Sequence, residues 1–350
     1  MAYTDGWAAI HMNMPQRVPR TEYSADFHWE LIKKVTGIDA VTNEALRPQA
    51  TQAFLKAWDY GYSWNILIGE NEFKDNCNTM GHAVYQADGS DFTKDIKLRY
   101  HDEDDVYAFD PFKILGQPDE AALLRRFNAS YQEELETKPD CVTMTGTYVT
   151  LMSGLIGLFG WDLLLLAAGC DEDEFGAMAN RYADWMMHYM RALARCDAPV
   201  VMIHDDIVWT EGAFLNPSWY RKYLFPNYVR YFEVLKNAGK TILYTSDGNV
   251  TEFFDDIAPI GVDGMVFEPL SDMGLFAQKY GTTHSFTGNF DTRILLSGTR
   301  DDIEREVKRC MEIGKRYPGF IMAVGNHIPP NTPVDNCLWY NDLYMKHRER

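Results

Sequence analysis

The regular alternation of short apolar runs with amphipathic helical segments constrains the fold of this chain more than any other feature. From residue 198 onward, each run of strand composition is followed by a helical pattern, until a last predicted strand at 319–324. Parallel strands need a long crossover connection, so this alternation is typical of a parallel sheet covered by helices. Roughly eight such units fit in a chain of 350 residues. We therefore predict an α/β fold, a single (βα)8 TIM barrel domain spanning residues 1–350.

The beginning of the chain departs from this alternation. Residues 1–60 carry helical patterns and are predicted to form an N-terminal helical extension ahead of a strand at 62–69, YSWNILIG. Residues 70–117 mix Asp, Asn, Gly and aromatic residues without periodicity, apart from strand-like pieces at 83–86 and 96–100. Long irregular segments of this kind are commonly binding loops or active-site lids. We expect 70–117 to form an irregular insertion over the barrel mouth.

The charge and composition of the chain narrow its partners and its location. A formal net charge of -18 repels phosphate groups, which argues against nucleic acid and anionic membranes as partners. The most apolar stretch, 148–169, is interrupted by Asp162 and several glycines, so a buried helix–loop–helix is expected there rather than a membrane span. The six cysteines form no CxxC pair, and no basic start with an apolar run opens the chain. These features predict a cytoplasmic protein.

One predicted strand end, TILYTSDGNV at 241–250, concentrates polar residues where the strand turns. Asp247 comes directly before Gly248, the residue that marks the turn. Side chains at the C-terminal ends of barrel strands point into the active-site mouth. Asp247 is therefore a candidate site residue. The alternative is that its carboxylate caps the turn by accepting nearby backbone amides.

Polar residues recur at the predicted ends of the other strands. They are Glu22, Tyr148, His204, Asp205, Asp206, Glu268, Asn289, Asp291, Asn326 and His327. Carboxylates combined with one imidazole suit zinc with an open coordination position. Asp247, Glu268 and His327 are accordingly the predicted metal ligands. The alternative for His327 is a structural role, bonding the proline-rich loop at 328–330.

The remaining candidates divide between proton transfer and substrate binding. Asp206, Asp247 and Asn289 are the predicted catalytic residues. Of the pair Asp205 and Asp206, we expect one side chain to face the mouth and the other to cap the following turn, while His204 is expected to be internal. The predicted substrate contacts are Arg20, Tyr148, Trp209 and Tyr244.

Several motifs occur in a characteristic order along the chain. They are RVP at 17–19, DD at 205–206, NP at 216–217, SDGNV at 246–250, EPL at 268–270, GNFDTR at 288–293, LSGT at 296–299 and GNHIPPNTP at 325–333. This set resembles the uroporphyrinogen decarboxylase superfamily, which also contains corrinoid-dependent methyltransferases. The resemblance implies a (βα)8 barrel with its site at the C-terminal face.

Departures from the superfamily pattern distinguish between its branches. The decarboxylases use an N-terminal arginine-containing segment to bind substrate carboxylates, whereas Arg17 and Arg20 stand in a different context, RVPRTEYS. The thiol-methylating branch binds zinc through a His-x-Cys motif and a later Cys. At the matching places this chain has Thr245, Ser246 and Asp247, and then Asn326. The chain is thus most similar to the first methyltransferase of corrinoid O-demethylase systems.

That branch implies transfer of a methyl group from a small methoxylated, aromatic substrate to the cobalt(I) of a separate corrinoid protein. The ether oxygen would be activated by a metal, expected to be zinc, or by an acid. No Asp-x-His-x-x-Gly pattern occurs in the chain, so the corrinoid (cobalamin) is expected on the partner protein. One alternative is a decarboxylase of a carboxylated substrate, with Asp206 or Asp247 donating a proton and Arg17 or Arg20 holding the carboxylate. Another is a non-catalytic corrinoid-binding barrel.

Overall fold

The computed structural model describes residues 1–78 and 97–350, and every statement on the fold refers to these residues. Short strands alternate with helices along them. The strands are β1 Tyr62–Ser63, β2 Val142–Thr143, β3 Thr145–Thr147, β4 Val200–His204, β5 Val208–Trp209, β6 Gly212–Ala213, β7 Thr241–Ser246, β8 Gly264–Phe267, β9 Ser285–Phe290 and β10 Phe320–Val324.

Helices follow the strands along the same residues. They are α1 Ala2–Ile10, α2 Trp29–Thr36, α3 Arg47–Ala57, α4 Glu103–Tyr107, α5 Pro111–Ile114, α6 Glu120–Thr137, α7 Met152–Phe159, α8 Trp161–Cys170, α9 Glu172–Arg195, α10 Pro217–Trp219, α11 Phe225–Asn237, α12 Phe254–Ile257, α13 Met273–Tyr280, α14 Thr292–Ser297, α15 Arg300–Gly314 and α16 Val334–His347. A π-helical turn, Tyr220–Leu224, joins α10 to α11.

Six parallel strands form one continuous sheet in the order β3-β4-β7-β8-β9-β10. The register places Ile203 of β4 opposite Tyr244 of β7, and Tyr244 opposite Met265 of β8. β1 pairs in parallel with β2, which directly precedes β3 in the chain. Because the strands run in one direction, their C-terminal ends lie on one face of the molecule.

The segment of residues 18–22 closes this sheet into a barrel. Arg20 is bridged in parallel to Met322 of β10 on one side and to Tyr60, just before β1, on the other. Thr21 N donates to Met322 O at 3.1 Å, and Gly61 N donates to Arg20 O at 2.6 Å. The predicted (βα)8 barrel is confirmed. Its closing segment comes from residues 1–60, which were predicted to form a helical extension without a strand of the barrel.

Two hydrophobic clusters fill the fold. The smaller one lies inside the barrel and includes Met144, between β2 and β3, together with Met202 of β4 and Leu243 of β7. Ala9 and Ile10 of α1 belong to the same cluster, so α1 packs onto the inner core. The larger cluster lies between the sheet and the surrounding helices. This layered arrangement leaves the C-terminal face of the barrel for the site.

The described part of the predicted insertion packs against helices rather than forming strands. Tyr107 of α4 donates through its hydroxyl to Ala167 O of α8 at 2.7 Å, and Arg181 of α9 donates to Phe109 O at 3.1 Å. The strand-like piece predicted at 83–86 lies outside the described residues, as does the start of the piece at 96–100. The placement of 70–117 over the mouth stays a prediction.

The apolar stretch forms two helices that meet at Gly160. All residues of α7 are buried, which agrees with the expected buried helix–loop–helix. Within residues 1–78 and 97–350, no single helix is long and apolar enough to cross a membrane. α7 and α8 meet that criterion only when they are taken together, and they are bent by 110° relative to each other.

Candidate functional site

A pocket opens at the C-terminal ends of the strands. Successive side chains of a strand point to opposite sides, so every second residue faces the barrel interior. Among these residues are Met202 and His204 of β4 and Thr245 of β7, with Asp247 just beyond β7. The pocket, which we call the mouth pocket, has a volume of about 50 Å³. It is lined by Tyr23, Trp64, Tyr148, Met202, His204, Thr245, Asp247, Val266, Phe267, Gly288, Ala323, Val324, Gly325, Asn326 and His327.

Three potential metal ligands meet at the mouth pocket. One ligand atom each from His204, Asp206 and Asp247 lies within 4.8 Å of the other two. His204 Nε2 is 3.3 Å from Asp206 Oδ1. An imidazole nitrogen and two carboxylate oxygens are donor types that zinc accepts, and a fourth position remains for another ligand. The donor set therefore fits zinc, and we call these three residues the ligand cluster.

Burial and negative neighbours dominate the electrostatics of Asp247. Burial raises the pKa of its carboxyl group well above the ordinary value, and the charges of Asp206 and Glu268 raise this pKa further. Carboxylates crowded into one site do not all ionise. The environment therefore favours the protonated form of the Asp247 carboxyl group, and a bound cation would displace that proton.

Two neighbouring carboxylates hold the turn that carries Asp247. Asp247 N donates to Asp206 Oδ1 at 3.0 Å, and Gly248 N donates to Glu268 Oε2 at 2.7 Å. The other oxygen of Glu268 accepts a hydrogen bond from Asn326 Nδ2. Because these groups satisfy the turn amides, the Asp247 carboxylate lines the mouth pocket instead of capping its own turn.

Aromatic rings build the walls around the ligand cluster. The Tyr148 ring stacks on the His204 imidazole, with a centroid distance of 3.9 Å and an interplanar angle of 7°. Tyr23 presents its edge to His327 at 4.6 Å and to Trp64 at 5.7 Å. Such rings form flat apolar surfaces with polar tips, which suit a planar ligand.

The tyrosine hydroxyls of this wall remain protonated near neutral pH. Burial raises the pKa of Tyr23 to about 12, and the charges of Asp247 and Asp206 act in the same direction. Burial and the same two carboxylates raise the pKa of Tyr148 well above its ordinary value. Both hydroxyls are thus available as hydrogen-bond donors.

Of the predicted metal ligands, Asp247 is the one that belongs to the ligand cluster. The carboxylate of Glu268 already holds the Asp247 turn through the hydrogen bonds described above. His327 lines the mouth pocket, but its Nδ1 lies 2.9 Å from Ser24 Oγ, and burial lowers its pKa. The other two members of the cluster come from the end of β4.

Asn289, a predicted catalytic residue, lies outside the mouth pocket. Its Nδ2 donates to Glu268 O at 3.1 Å and to Ser271 O at 3.0 Å. Its Oδ1 accepts a hydrogen bond from Arg309 Nη2 at 2.9 Å. Gly288 lines the pocket, so the alternation of side chains turns Asn289 toward the helices. Asn289 therefore holds β9 against the loop after β8.

The predicted aromatic substrate contacts separate in the structure. Tyr148 lines the mouth pocket, whereas Tyr244 is fully buried on the other side of β7 and donates to Asp205 O at 3.1 Å. Thr245, its neighbour, is the residue of β7 that faces the pocket. Trp209 lies on the β5–β6 hairpin, is 47% exposed, and is not among the residues that line the pocket.

The two N-terminal arginines hold the fold together away from the mouth pocket. Arg20 is fully buried, with its guanidinium 4.5 Å from the Trp58 ring and 4.3 Å from the Tyr344 ring. Arg17 forms an ion pair of 2.7 Å with Asp5. Neither arginine lines the pocket, so Arg20 is not placed to contact a substrate there.

The two aspartates after β4 have different roles, one in the site and one in stabilising the fold. Asp206 belongs to the ligand cluster. Asp205 is fully buried and accepts hydrogen bonds from Leu151 N, Met152 N and Ser153 N at 3.2, 3.1 and 2.7 Å. These amides lie at the start of α7. Asp205 therefore caps a helix of the preceding βα unit, whereas it was expected to cap the turn that follows β4.

His204 is the site residue that sequence reasoning placed wrongly, as an internal histidine. The local signal for it was its spacing from Asp206, because residues two apart in an extended chain point to the same side. Tyr23 has no such signal. It reaches the pocket because residues 18–22 close the barrel and a bridge then pairs Tyr23 with His327.

A larger cavity, which we call the outer groove, adjoins the mouth pocket and shares Asn326 and His327 with it. Its volume is about 610 Å³. Its lining is Ser24, Phe27, Thr210, Glu268, Pro269, Leu270, Asp291, Thr292, Arg293, Leu296, Asn326, His327, Pro329, Pro330 and Asn331. This volume is that of an ordinary small-molecule site, and the shared residues Asn326 and His327 connect the groove to the mouth pocket beside the ligand cluster.

Comparison with known proteins places the chain in a family. The uroporphyrinogen decarboxylase (URO-D) family model matches residues 93–345. The chain is 26% identical to the uroporphyrinogen decarboxylase of Syntrophotalea carbinolica over 170 residues, which are 49% of this chain and 48% of that protein. It is 23% identical to that of Geobacter sulfurreducens over 246 residues, 69% of this chain and 66% of that protein. The chain thus spans about half to two thirds of the length of these relatives.

A solved structure agrees with the barrel over nearly its whole length. It is a methyltransferase from Methanosarcina mazei, with a TM-score of 0.61, 16% sequence identity, and coverage of 99% of this chain and 98% of that chain. At this identity the likeness concerns the fold. The family model covers more than half of the chain, and the superfamily predicted from the motifs is confirmed. The chain belongs to the uroporphyrinogen decarboxylase family.

Proposed function

We propose that this protein is a methyltransferase that moves a methyl group from a small methoxylated aromatic substrate to the cobalt(I) of a separate corrinoid protein. The observation that carries the proposal is the ligand cluster of His204, Asp206 and Asp247, set against aromatic walls at a barrel mouth. Family membership and the fold shared with a methyltransferase support it.

The mouth pocket suits a methoxylated ring. The pocket alone is small, about 50 Å³, but it adjoins the outer groove of about 610 Å³, and the two together have room for a small-molecule ligand. The rings of Tyr148, Trp64 and Tyr23 offer apolar surface for a planar substrate. A ring packed against them would present its ether oxygen to Asp247, and the outer groove would leave its methyl group accessible to the acceptor.

The chemistry required is stabilisation of a poor leaving group, because phenoxide departs slowly from an aryl ether. Zinc, held by His204, Asp206 and Asp247, would supply Lewis-acid polarisation of the ether oxygen. Without a bound ion, the proton retained by Asp247 can pass to that oxygen as the carbon–oxygen bond breaks. The oxygen keeps the electron pair and takes the proton, while cobalt(I) accepts the methyl group. The products are a phenol and a methylated corrinoid protein.

Decarboxylation is the second candidate, because the curated relatives are uroporphyrinogen decarboxylases. A carboxylated substrate needs cations to bind it. Arg17 and Arg20, the residues predicted to hold the carboxylate, are engaged elsewhere in the fold. Release of CO₂ from uroporphyrinogen by the purified protein would favour this candidate over methyl transfer.

The decisive experiment is incubation of the protein with methoxylated phenols and a reduced corrinoid protein. We expect the absorption spectrum to change from that of cobalt(I) to that of methylcobalt(III). Asp247→Asn should slow this change by about 100-fold or more, in the range expected for loss of an acid or a metal ligand. Asp255→Asn is a matched control, because Asp255 is an exposed acid paired with Lys279. No spectral change with any methoxylated donor would refute the proposal.

Metal binding distinguishes the two modes of activation. If zinc binds the cluster, a free concentration of 100 times Kd should stabilise the fold by about 2.7 kcal/mol. His204→Ala should abolish this stabilisation, whereas His284→Ala, at a histidine outside the cluster, should preserve it. Methyl transfer by metal-free protein would instead support Asp247 as the acid.

A further inference from the structure

The mouth pocket concentrates negative charge. Asp247 lines it, Asp206 belongs to the same ligand cluster, and Glu268 lies close enough for its charge to act on Asp247. None of the described residues that line the mouth pocket is an arginine or a lysine. A divalent cation bound by the cluster would balance the carboxylates of Asp206 and Asp247 and leave the charge of Glu268 beside them.

The two arginines that the sequence suggested for binding a carboxylate contact other residues in the structure. Arg17 is paired with Asp5, and Arg20 is enclosed by aromatic rings. In the outer groove, the described lining contains one cation, Arg293, which lies 2.7 Å from Asp291. The net charge of the whole chain, -18, adds to the negative potential around the pocket. An anionic ligand would therefore meet repulsion on its approach and in the pocket.

The polar groups left in the pocket suit uncharged substituents. The hydroxyls of Tyr23 and Tyr148 remain protonated, and Thr245 contributes a hydroxyl to the lining. Hydroxyl groups can hydrogen-bond a phenol or an amide. They do not offset the cost of removing a carboxylate from water beside other carboxylates.

We propose that the mouth pocket selects methoxylated rings without an anionic substituent and discriminates against methoxybenzoates. This inference rests on the proposed methyl transfer and specifies its substrate class. The donors are thus neutral methoxyphenols and their uncharged derivatives, and the discrimination is electrostatic rather than steric.

A shape-matched pair of donors tests the inference. 4-Hydroxy-3-methoxybenzamide and 4-hydroxy-3-methoxybenzoate have nearly the same size and shape but differ in charge. With the corrinoid protein as acceptor, we expect kcat/KM for the amide to exceed that for the benzoate by at least about 30-fold, since the charges are close and partly desolvated. Calorimetric binding of the two compounds, without the corrinoid protein, should show the same order.

The outcomes separate this inference from the proposed function. Methyl transfer that is equal for the two donors, or faster for the benzoate, overturns the inference and leaves the methyltransferase standing. Preferential binding of the amide without methyl transfer from any donor supports the electrostatic selection and overturns the proposed function. Absence of both binding and transfer overturns both.

A charge variant tests the cause of the selection. Glu268→Gln keeps the size of the side chain and removes one of the three carboxylates, so the preference for the amide should fall several-fold. Glu252→Gln is the control, because Glu252 is an exposed acid outside the described lining of the pocket, and its variant should keep the wild-type ratio. An unchanged ratio in Glu268→Gln, in protein that remains folded, would contradict an electrostatic origin.

Discussion

Asp205 is a wholly buried carboxylate that stabilises the fold beside the site. It accepts three amide hydrogen bonds at the start of α7 and a further one from the Tyr228 hydroxyl at 2.5 Å. Burial raises its pKa to about 6, although the hydrogen bond from Tyr228 and those from the amides oppose the rise. The adjacent Asp206 performs a different task because it points to the opposite side of the chain.

Replacing Asp205 should therefore destabilise the protein strongly. Asp205→Ala leaves buried donors without an acceptor, and we expect the free energy of unfolding to fall by about 3–5 kcal/mol. Asp171→Ala is the matched control, since Asp171 caps α9 from an exposed position and its loss should cost about 1 kcal/mol. Urea denaturation measures both. Equal losses would show that the burial of Asp205 adds nothing to an ordinary cap.

Glu22 makes the stability depend on pH. It is buried, with Tyr340 and Val324 N as hydrogen-bond donors, and burial raises its pKa from 4.5 to about 7 even though the Arg20 charge lowers it. A carboxyl group with a raised pKa favours the folded state below pH 4.5, and this contribution is lost as the pH rises through about 7. The full loss is roughly 3 kcal/mol.

Glu22→Gln should remove this part of the pH dependence. Glutamine stays neutral, so the free energy of unfolding of the variant should fall less than that of the wild type between about pH 5 and about pH 8.5, a window that spans the titration of Glu22. Denaturation curves at both pH values measure the difference. Glu30→Gln is a control, because Glu30 is exposed on α2. Parallel pH profiles for wild type and Glu22→Gln would contradict the expectation.

At the scale of elements, the turn after β7 is the piece of local structure on which the site depends. It carries Asp247 and is held by Asp206 and Glu268, which belong to the two neighbouring strand ends. Gly248 adopts a φ of +83°, and a Cβ there would lie 2.7 Å from Trp209 O. The β5–β6 hairpin therefore approaches the turn as closely as a glycine allows.

Gly248→Ala should displace this turn. The left-handed backbone costs about 1–2 kcal/mol for alanine, and the clash with a backbone oxygen adds to it, so we expect a loss of about 2–4 kcal/mol together with a loss of methyl transfer. Gly239→Ala separates the two effects, because Gly239 has a φ of +75° but a Cβ added there would meet no atom within 4 Å. Thermal denaturation and activity should both show the larger effect at Gly248. Similar losses at both glycines would argue against the close contact.

At the scale of the whole molecule, closure of the barrel depends on Arg20. Its guanidinium lies between Trp58 and Tyr344 and donates to Trp58 O and to Asn341 Oδ1 at 3.1 and 2.9 Å. These contacts connect the closing segment to the end of α3 and to α16. A substrate-binding role for this residue would require it to face the mouth pocket, from which it is absent.

Arg20→Ala should consequently act on stability rather than on substrate affinity. We expect the free energy of unfolding to fall by about 3–5 kcal/mol, because Trp58 O and Asn341 Oδ1 lose their donor and the packing against the two rings is lost. The KM of the remaining folded protein for the methyl donor should change little. Arg305→Ala, which removes an exposed arginine paired with Asp302, should cost less than about 1 kcal/mol. A raised KM with unchanged stability would restore the substrate-binding assignment of Arg20.

The sequence by itself determined the barrel and the region of its site. Strand–helix alternation is a local pattern, and it predicted the (βα)8 fold that the sheet order confirms. A strand end is also a local signal, and it singled out Asp247 before Gly248. Asp205 and Asp206 point to opposite sides because side chains alternate along an extended chain, so their different roles were predictable as well.

Only the tertiary structure decided which residues meet. His204 joins Asp247 because β4 pairs with β7 in one particular register, and Tyr23 enters the pocket because a distant segment closes the barrel. Glu268 was predicted as a metal ligand, yet its position allows it to hold the neighbouring turn instead. Register and closure depend on pairing between segments far apart in the chain, and periodicity within one segment carries no information about them.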